Sequence, residues 1–196
     1  KKPKPLIKFK NKYFLSYLLN HYSRYPFEKI FILAGYKGEQ IYKKFNNKNS
    51  NGIEIKCIIE NKTLGTGGTL SQLKNRTKND LIVINGDTFI DCNLEDFFLK
   101  KKKYNFIFLT KNKNYLSNNI LANLNINKKS FIKFDGKLMN AGVYFFKQNI
   151  LKKISKKNIS LENDILSNLI QKKSIKGKIS KSNFIDIGTY KNINLV

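Results

Sequence analysis

Two aspartates stand where an aspartate is costly. Asp87 follows the apolar run Leu81-Ile82-Val83-Ile84 in the segment Asn85-Gly86-Asp87-Thr88, and Asp186 lies between Ile185 and Ile187, just before Gly188-Thr189. A carboxylate in or at the end of a buried strand loses hydration and needs a cation or hydrogen-bond donors in exchange. Taken singly, each has a plain reading as a turn, cap or paired structural residue. Together they suit one Mg²⁺, which is bound by one or two carboxylates plus substrate phosphates rather than by an all-protein cage. Nearby Asp91, Glu95 and Asp96 fit helix capping better.

A third feature is the stretch Glu60-Asn61-Lys62-Thr63-Leu64-Gly65-Thr66-Gly67-Gly68-Thr69-Leu70. Three glycines within four positions allow close backbone approach and a tight helix start. Amides exposed at such a start favour anions or carbonyl oxygens. Glycine-rich turns also serve packing alone. Glu60 and Thr66 add a carboxylate and a hydroxyl able to read the edge of a nucleobase.

The elements that must position these residues alternate. Residues 13–19 read as a helix, 29–35 as a short buried strand stopped by glycine, and 37–45 as a helix with Ile41 and Phe45 on one face. Ile53–Ile59 is β-branched and strand-like. Residues 67–74 then read as a helix and Leu81–Ile84 as a strand. Further on, 106–109, 120–126, 131–134 and 143–146 are strand-like, 161–172 is an amphipathic helix capped by Ser160, and 184–187 is a last strand. The pattern predicts an α/β fold: a Rossmann-like open mixed, mostly parallel sheet flanked by helices, with a β-rich extension. No repeat or linker divides it, so residues 1–196 read as a single domain. Ligands in such sheets bind beyond the carboxyl ends of the strands, where all three features fall.

Composition narrows the function classes. The chain has 196 residues, 41% hydrophobic, with a formal net charge of +25. That is enough for a core, and no apolar run is long enough for a membrane span. The opening Lys-Lys-Pro-Lys-Pro is not a signal peptide. Cys57 and Cys92 read as free buried thiols of a reducing, cytoplasmic setting, and one histidine, His21, excludes a zinc cluster. The lysines are spread along the chain and only Arg24 and Arg76 accompany them, which argues against nucleic acid as the partner. The positive field instead favours nucleotides and sugar phosphates. The Lys100–Lys103 run reads as a solvated helix end. Tyr13, Tyr17 and Tyr22 fit either a core or an interface, a homodimer's included.

Leu64-Gly65-Thr66-Gly67-Gly68-Thr69-Leu70, Asn85-Gly86-Asp87, Asn140-Ala141-Gly142-Val143-Tyr144 and Phe184-Ile185-Asp186-Ile187-Gly188-Thr189 resemble, in order and approximate spacing, the sugar-1-phosphate nucleotidyltransferases. Pro3-Lys4-Pro5-Leu6 is similar to the lysine segment that follows that family's phosphate loop. The short form and Ser160-Leu161-Glu162 look most like the heptose 1-phosphate guanylyltransferases, with hexose-1-phosphate guanylyl-, thymidylyl- and cytidylyltransferases close behind. The resemblance implies a nucleoside triphosphate, GTP in the favoured case, and a sugar 1-phosphate as substrates. They would be joined with release of pyrophosphate, for surface polysaccharide such as capsule or lipopolysaccharide. It implies that Lys4 contacts phosphates, that Glu60, Gly65, Thr66 and Gly67 meet the base, and that Asp87 lies near the ribose and with Asp186 binds Mg²⁺. It also implies that Asn140, Gly142, Glu162 and Lys137 face the sugar. The family begins with a strand and a glycine-rich loop carrying an arginine, and this chain starts after that point. The expectation is therefore an N-terminally incomplete domain, impaired on its own. The rival is a non-catalytic nucleotide or sugar-nucleotide binding module.

Overall fold

The structure is a computed structural model that describes residues 2–111, 123–155 and 157–188. Thr189 and the start of the strand expected at 120–126 lie outside them. The chain forms two compact units, one of Lys1–Thr63 with Asp186–Val196, the other of Leu64–Ile185.

In the first unit a single 3-10 turn, Lys4–Leu6, carries proline on both sides of Lys4. A hairpin of β1 (Lys8–Phe9) and β2 (Lys12–Tyr13) follows. Its two linking residues, Lys10 and Asn11, both have positive φ, as a tight primed turn requires. Helix α1 (Phe14–Tyr22) buries Phe14, Leu15, Leu18, Leu19 and Tyr22 along one face. Strand β3 (Ile30–Ala34) leads through left-handed Lys37 into α2 (Gly38–Phe45), which buries Ile41 and Phe45 as expected. Strands β4 (Lys48–Ser50) and β5 (Ile53–Ile59) complete a three-stranded sheet of order β3-β5-β4. β3 and β5 are parallel, and Ala34 is level with Ile59, so Gly35 and Glu60 leave the sheet at the same carboxyl edge.

The second unit opens with α3 (Gly65–Gly68), continued as a 3-10 turn over Thr69–Leu73 rather than as the single helix expected at 67–74. Strand β6 (Leu81–Ile84), β7 (Thr88–Ile90), α4 (Glu95–Leu99), β8 (Asn105–Thr110) and β9 (Leu124–Ile126) follow. Strand β10 runs unbroken from Ile132 to Phe146. The sequence suggests two strands there, because Asn140-Ala141-Gly142 looks like a stop. The register instead shifts between Asn140 and Tyr144, absorbing those residues as a bulge. After α5 (Ile150–Lys153), the expected helix at 161–172 divides into a wide π turn, Leu161–Leu166, and α6 (Ser167–Gln171). The Ser160 carbonyl accepts from both Asp164 N (3.2 Å) and Ile165 N (3.3 Å), which is how the extra residue is accommodated. Strands β11 (Ile175–Ser180) and β12 (Phe184–Asp186) end the described chain.

The main sheet has the order β11-β8-β10-β6 with β9 on β10. β11 and β8 are parallel, while β10 runs antiparallel to β8, β6 and β9. β10 thus lies between β6 and β8, so its bulge sits close to the carboxyl end of β6. Ile107, Phe108, Leu109, Val143, Tyr144 and Phe146 are all at most 1% exposed. Burying one such side chain contributes about 2–3 kcal/mol. β3 and β6 are only half-buried, since each stands at the end of its sheet's order. Both cysteines are buried free thiols. Burial pushes Cys57 up to about 11, so it is inert as a nucleophile. No helix among the described residues is long and apolar enough to cross a membrane.

Candidate active site

The glycine segment is held backbone to backbone. Gly67 N and Gly68 N donate to the Ile159 carbonyl at 3.0 and 3.3 Å, and Ile159 N donates to Leu64 O at 3.0 Å. A Cβ on Gly65 would lie 2.5 Å from Ile159 O, and Gly65 has φ +67°. A Cβ on Gly67 would lie 2.9 Å from Leu161 N, and one on Gly68 would run into the Lys157 carbonyl. The carbonyl oxygen expected to meet these amides is the protein's own. Thr66 Oγ1 accepts from Leu161 N at 2.9 Å and donates to Glu162 Oε2 at 3.0 Å. Ser160 Oγ donates to the same oxygen at 3.2 Å and caps the turn by accepting from Asn163 N. Glu162 is therefore presented by a π turn, a device frequent at functional sites.

A second cluster is built from side chains. Asn85 N donates to Gly142 O at 2.8 Å, pinning the loop after β6 to the β10 bulge. Asn140 Oδ1 accepts from Gly142 N at 2.9 Å, and Asn140 Nδ2 donates to the Tyr144 hydroxyl at 2.6 Å. Gly142 has φ +72°, and a Cβ there would lie 2.5 Å from Thr88 Oγ1 and 3.0 Å from Asn85 Nδ2. The Thr88 hydroxyl is itself buried with no hydrogen-bond partner. Tyr144 is 0% exposed. Burial, then the Glu162 carboxylate and more weakly Asp87, push its hydroxyl far above the ordinary range, against the hydrogen bond from Asn140.

In the first unit, Glu60 N donates to Ala34 O at 3.0 Å, and the Glu60 carboxylate lies over Gly35, where a Cβ would be 3.3 Å from Oε2. Lys4 is exposed on its proline-flanked turn. Asp186 is half-buried at the end of β12, and its Oδ1 accepts from Gly188 N at 2.5 Å. Lys137 is exposed on β10, three residues before Asn140. His21 is structural: its carbonyl accepts from Arg24 Nε at 2.9 Å, and the Arg24 guanidinium lies 2.8 Å from its ring.

The match to known sequences decides the family. The model of the nucleotidyl transferase family fits residues 1–117. The chain belongs to the nucleotidyl transferases. Over 193 residues, or 95% of the chain and 85% of the relative, it is 28% identical to a D-glycero-alpha-D-manno-heptose 1-phosphate guanylyltransferase of Campylobacter jejuni. A protein of the same name from Aneurinibacillus thermoaerophilus is 29% identical over 195 residues, 95% of this chain and 84% of the other. The crystal structure of HddC from Yersinia pseudotuberculosis superposes with a TM-score of 0.79 at 25% identity, covering 99% of this chain and 88% of that one. The same protein has been solved complexed with GMP-PN, with a TM-score of 0.80 at 24% identity.

Within this nucleotidyl transferase, hydrogen bonds of the second unit join Thr66 to Glu162, and join Asn85, Asn140, Gly142 and Tyr144 in a second cluster, on whose phenol the Glu162 and Asp87 carboxylates act by charge. Sequence reasoning missed two members of that cluster as functional groups, Asn85 and Tyr144. The signal was available: an asparagine pair and a tyrosine, all polar-tipped, at the seam of apolar strands. Among the described residues no three His, Cys, Asp or Glu side chains form a metal cage.

Proposed function

We propose that this chain transfers a guanylyl group from GTP to a heptose 1-phosphate, releasing pyrophosphate and yielding an activated sugar for surface polysaccharide. All 196 residues would serve one catalytic domain. The observation that carries the reading is the cluster around Tyr144, where hydrogen bonds close the Asn140–Gly142 bulge and pin the Asn85–Asp87 loop to it. The guanylyltransferase relatives, matched over 95% of the chain, support the choice of base and sugar.

In the reaction, a phosphate oxygen of the sugar 1-phosphate attacks the α-phosphorus of GTP in line. One P–O bond forms, the bond to the β-phosphate bridge breaks, and pyrophosphate departs with the electron pair. The protein's contribution to such a transfer is position and charge. Glu60, Gly65, Thr66 and Gly67 would border the base, Lys4 the phosphates, and Asn140, Gly142, Glu162 and Lys137 the sugar phosphate. Asp87 and Asp186 would hold a Mg²⁺, which supplies neutralisation of developing phosphate charge when bound.

The test is a panel of four nucleoside triphosphates against heptose and hexose 1-phosphates, read by pyrophosphate release from the full-length natural protein. The expected result is turnover with GTP and a heptose 1-phosphate well above every other pair. Turnover with none of them sinks the enzyme reading, and preference for another base sinks the guanylyl assignment.

A further inference from the structure

Tyr144 is a puzzle for a residue with no expected contact to substrate. Its ring has the packing of a core residue, stacked on Phe146 with centroids 5.7 Å apart and planes 5° from parallel. In register it lies between Val83 of β6 and Ile107 of β8. Phenylalanine would satisfy every one of those contacts. The hydroxyl is the part that needs explaining, since a buried phenol oxygen costs free energy unless it is hydrogen-bonded. It is bonded: the Asn140 amide on the bulge donates to it at 2.6 Å, and the loop after β6 is tied to the same bulge by Asn85 N.

Asn140 has its oxygen fixed by Gly142 N at 2.9 Å, so the bond to Tyr144 fixes its nitrogen too, and with it the ring of atoms that closes the bulge. Asn85 is tied by backbone to Gly142 O at 2.8 Å, so the loop bearing Asp87 and the bulge move as one body. We propose that Tyr144 is a positioning residue: its hydroxyl locks Asn140, and through Asn140 the bulge to which Asn85 N is bonded, so that the 85–87 loop and the 140–142 bulge present one preformed face to the sugar 1-phosphate. This rests on the reading given under Proposed function. Burial and the two carboxylates push the phenol upward, which favours the neutral hydroxyl.

The experiment is steady-state kinetics of Tyr144→Phe in the full-length protein, with GTP and heptose 1-phosphate varied separately and a thermal melt alongside. The KM for the sugar phosphate is expected to rise roughly tenfold, and the KM for GTP to stay within about twofold. In an Asn140→Ala background the same change should add less than about twofold, because the partner it acts through has gone. Asn140→Asp, which keeps the oxygen that accepts from Gly142 N and removes the amide donor to the Tyr144 hydroxyl, leaves the aromatic stack intact; it is expected to raise the same KM and tests the lock if Tyr144→Phe fails to fold. Equal losses for both substrates tracking a lowered Tm, or multiplicative effects with Asn140→Ala, overturn the assignment. Wild-type turnover separates the two claims. A wild type inactive on the panel overturns the guanylyltransferase reading and this inference with it, whereas an active wild type with both KM values unchanged in Tyr144→Phe overturns the Tyr144 role alone.

Discussion

The two halves of the second unit's site are built from different materials. Around Gly65–Gly68 the contacts are backbone amides and carbonyls, and the space is defined by absent side chains. Around Asn140–Tyr144 the contacts are side-chain amides, a phenol and two carboxylates that act on it. The first kind of site is broken by adding one carbon. The second is broken by removing one polar atom, and it can lose function with little loss of fold.

That contrast predicts a ranking. Gly68→Ala should be the most damaging, because its Cβ meets a main-chain carbonyl of Lys157 that has no side-chain freedom to yield. About 3 kcal/mol of stability should be lost, read as a lowered urea midpoint. Gly142→Ala comes next, at roughly 2 kcal/mol. It adds the left-handed backbone penalty to a clash, but the nearest atom is the Thr88 hydroxyl, which can rotate. An effect of Gly142→Ala larger than that of Gly68→Ala would erase the distinction. Thr66→Val is expected to cost about 1–2 kcal/mol, since it keeps the shape but strands Leu161 N and leaves Glu162 Oε2 with the Ser160 hydroxyl alone. Amide exchange should speed up at Leu161 while β8 and β10 keep their protection. Uniform protection at Leu161 would show that the hydroxyl is not what anchors the π turn.

How much of this the sequence revealed follows the same division. Ile53–Ile59 was legible because its β-branched residues alternate with Glu54 and Lys56, and Leu81–Ile84 because a short continuous apolar run has few alternatives to a strand. The pairing Ile41–Phe45 was legible because helical spacing shows directly. The short polar strand Lys48–Ser50 was not, since it gains its place only by pairing with β5. Nor was the continuity of β10, because a bulge and a strand end share the residues Asn140-Ala141-Gly142. The glycines at 65, 67 and 68 announced a site of close approach, but not that the Ile159 carbonyl would take the amides of two of them. Tyr144 stayed hidden because a tyrosine in Val-Tyr-Phe-Phe reads as core, which its ring is. Only the 2.6 Å bond to Asn140 reveals what its hydroxyl does.

The central claim is that Asp87, on the loop after β6, serves nucleotidyl transfer. It is tested most directly by pyrophosphate release from GTP and heptose 1-phosphate with Asp87→Asn beside wild type. The account predicts a loss of about a hundredfold or more in kcat with a melting temperature within a few degrees of wild type. Turnover within about threefold of wild type in a folded Asp87→Asn protein would contradict it.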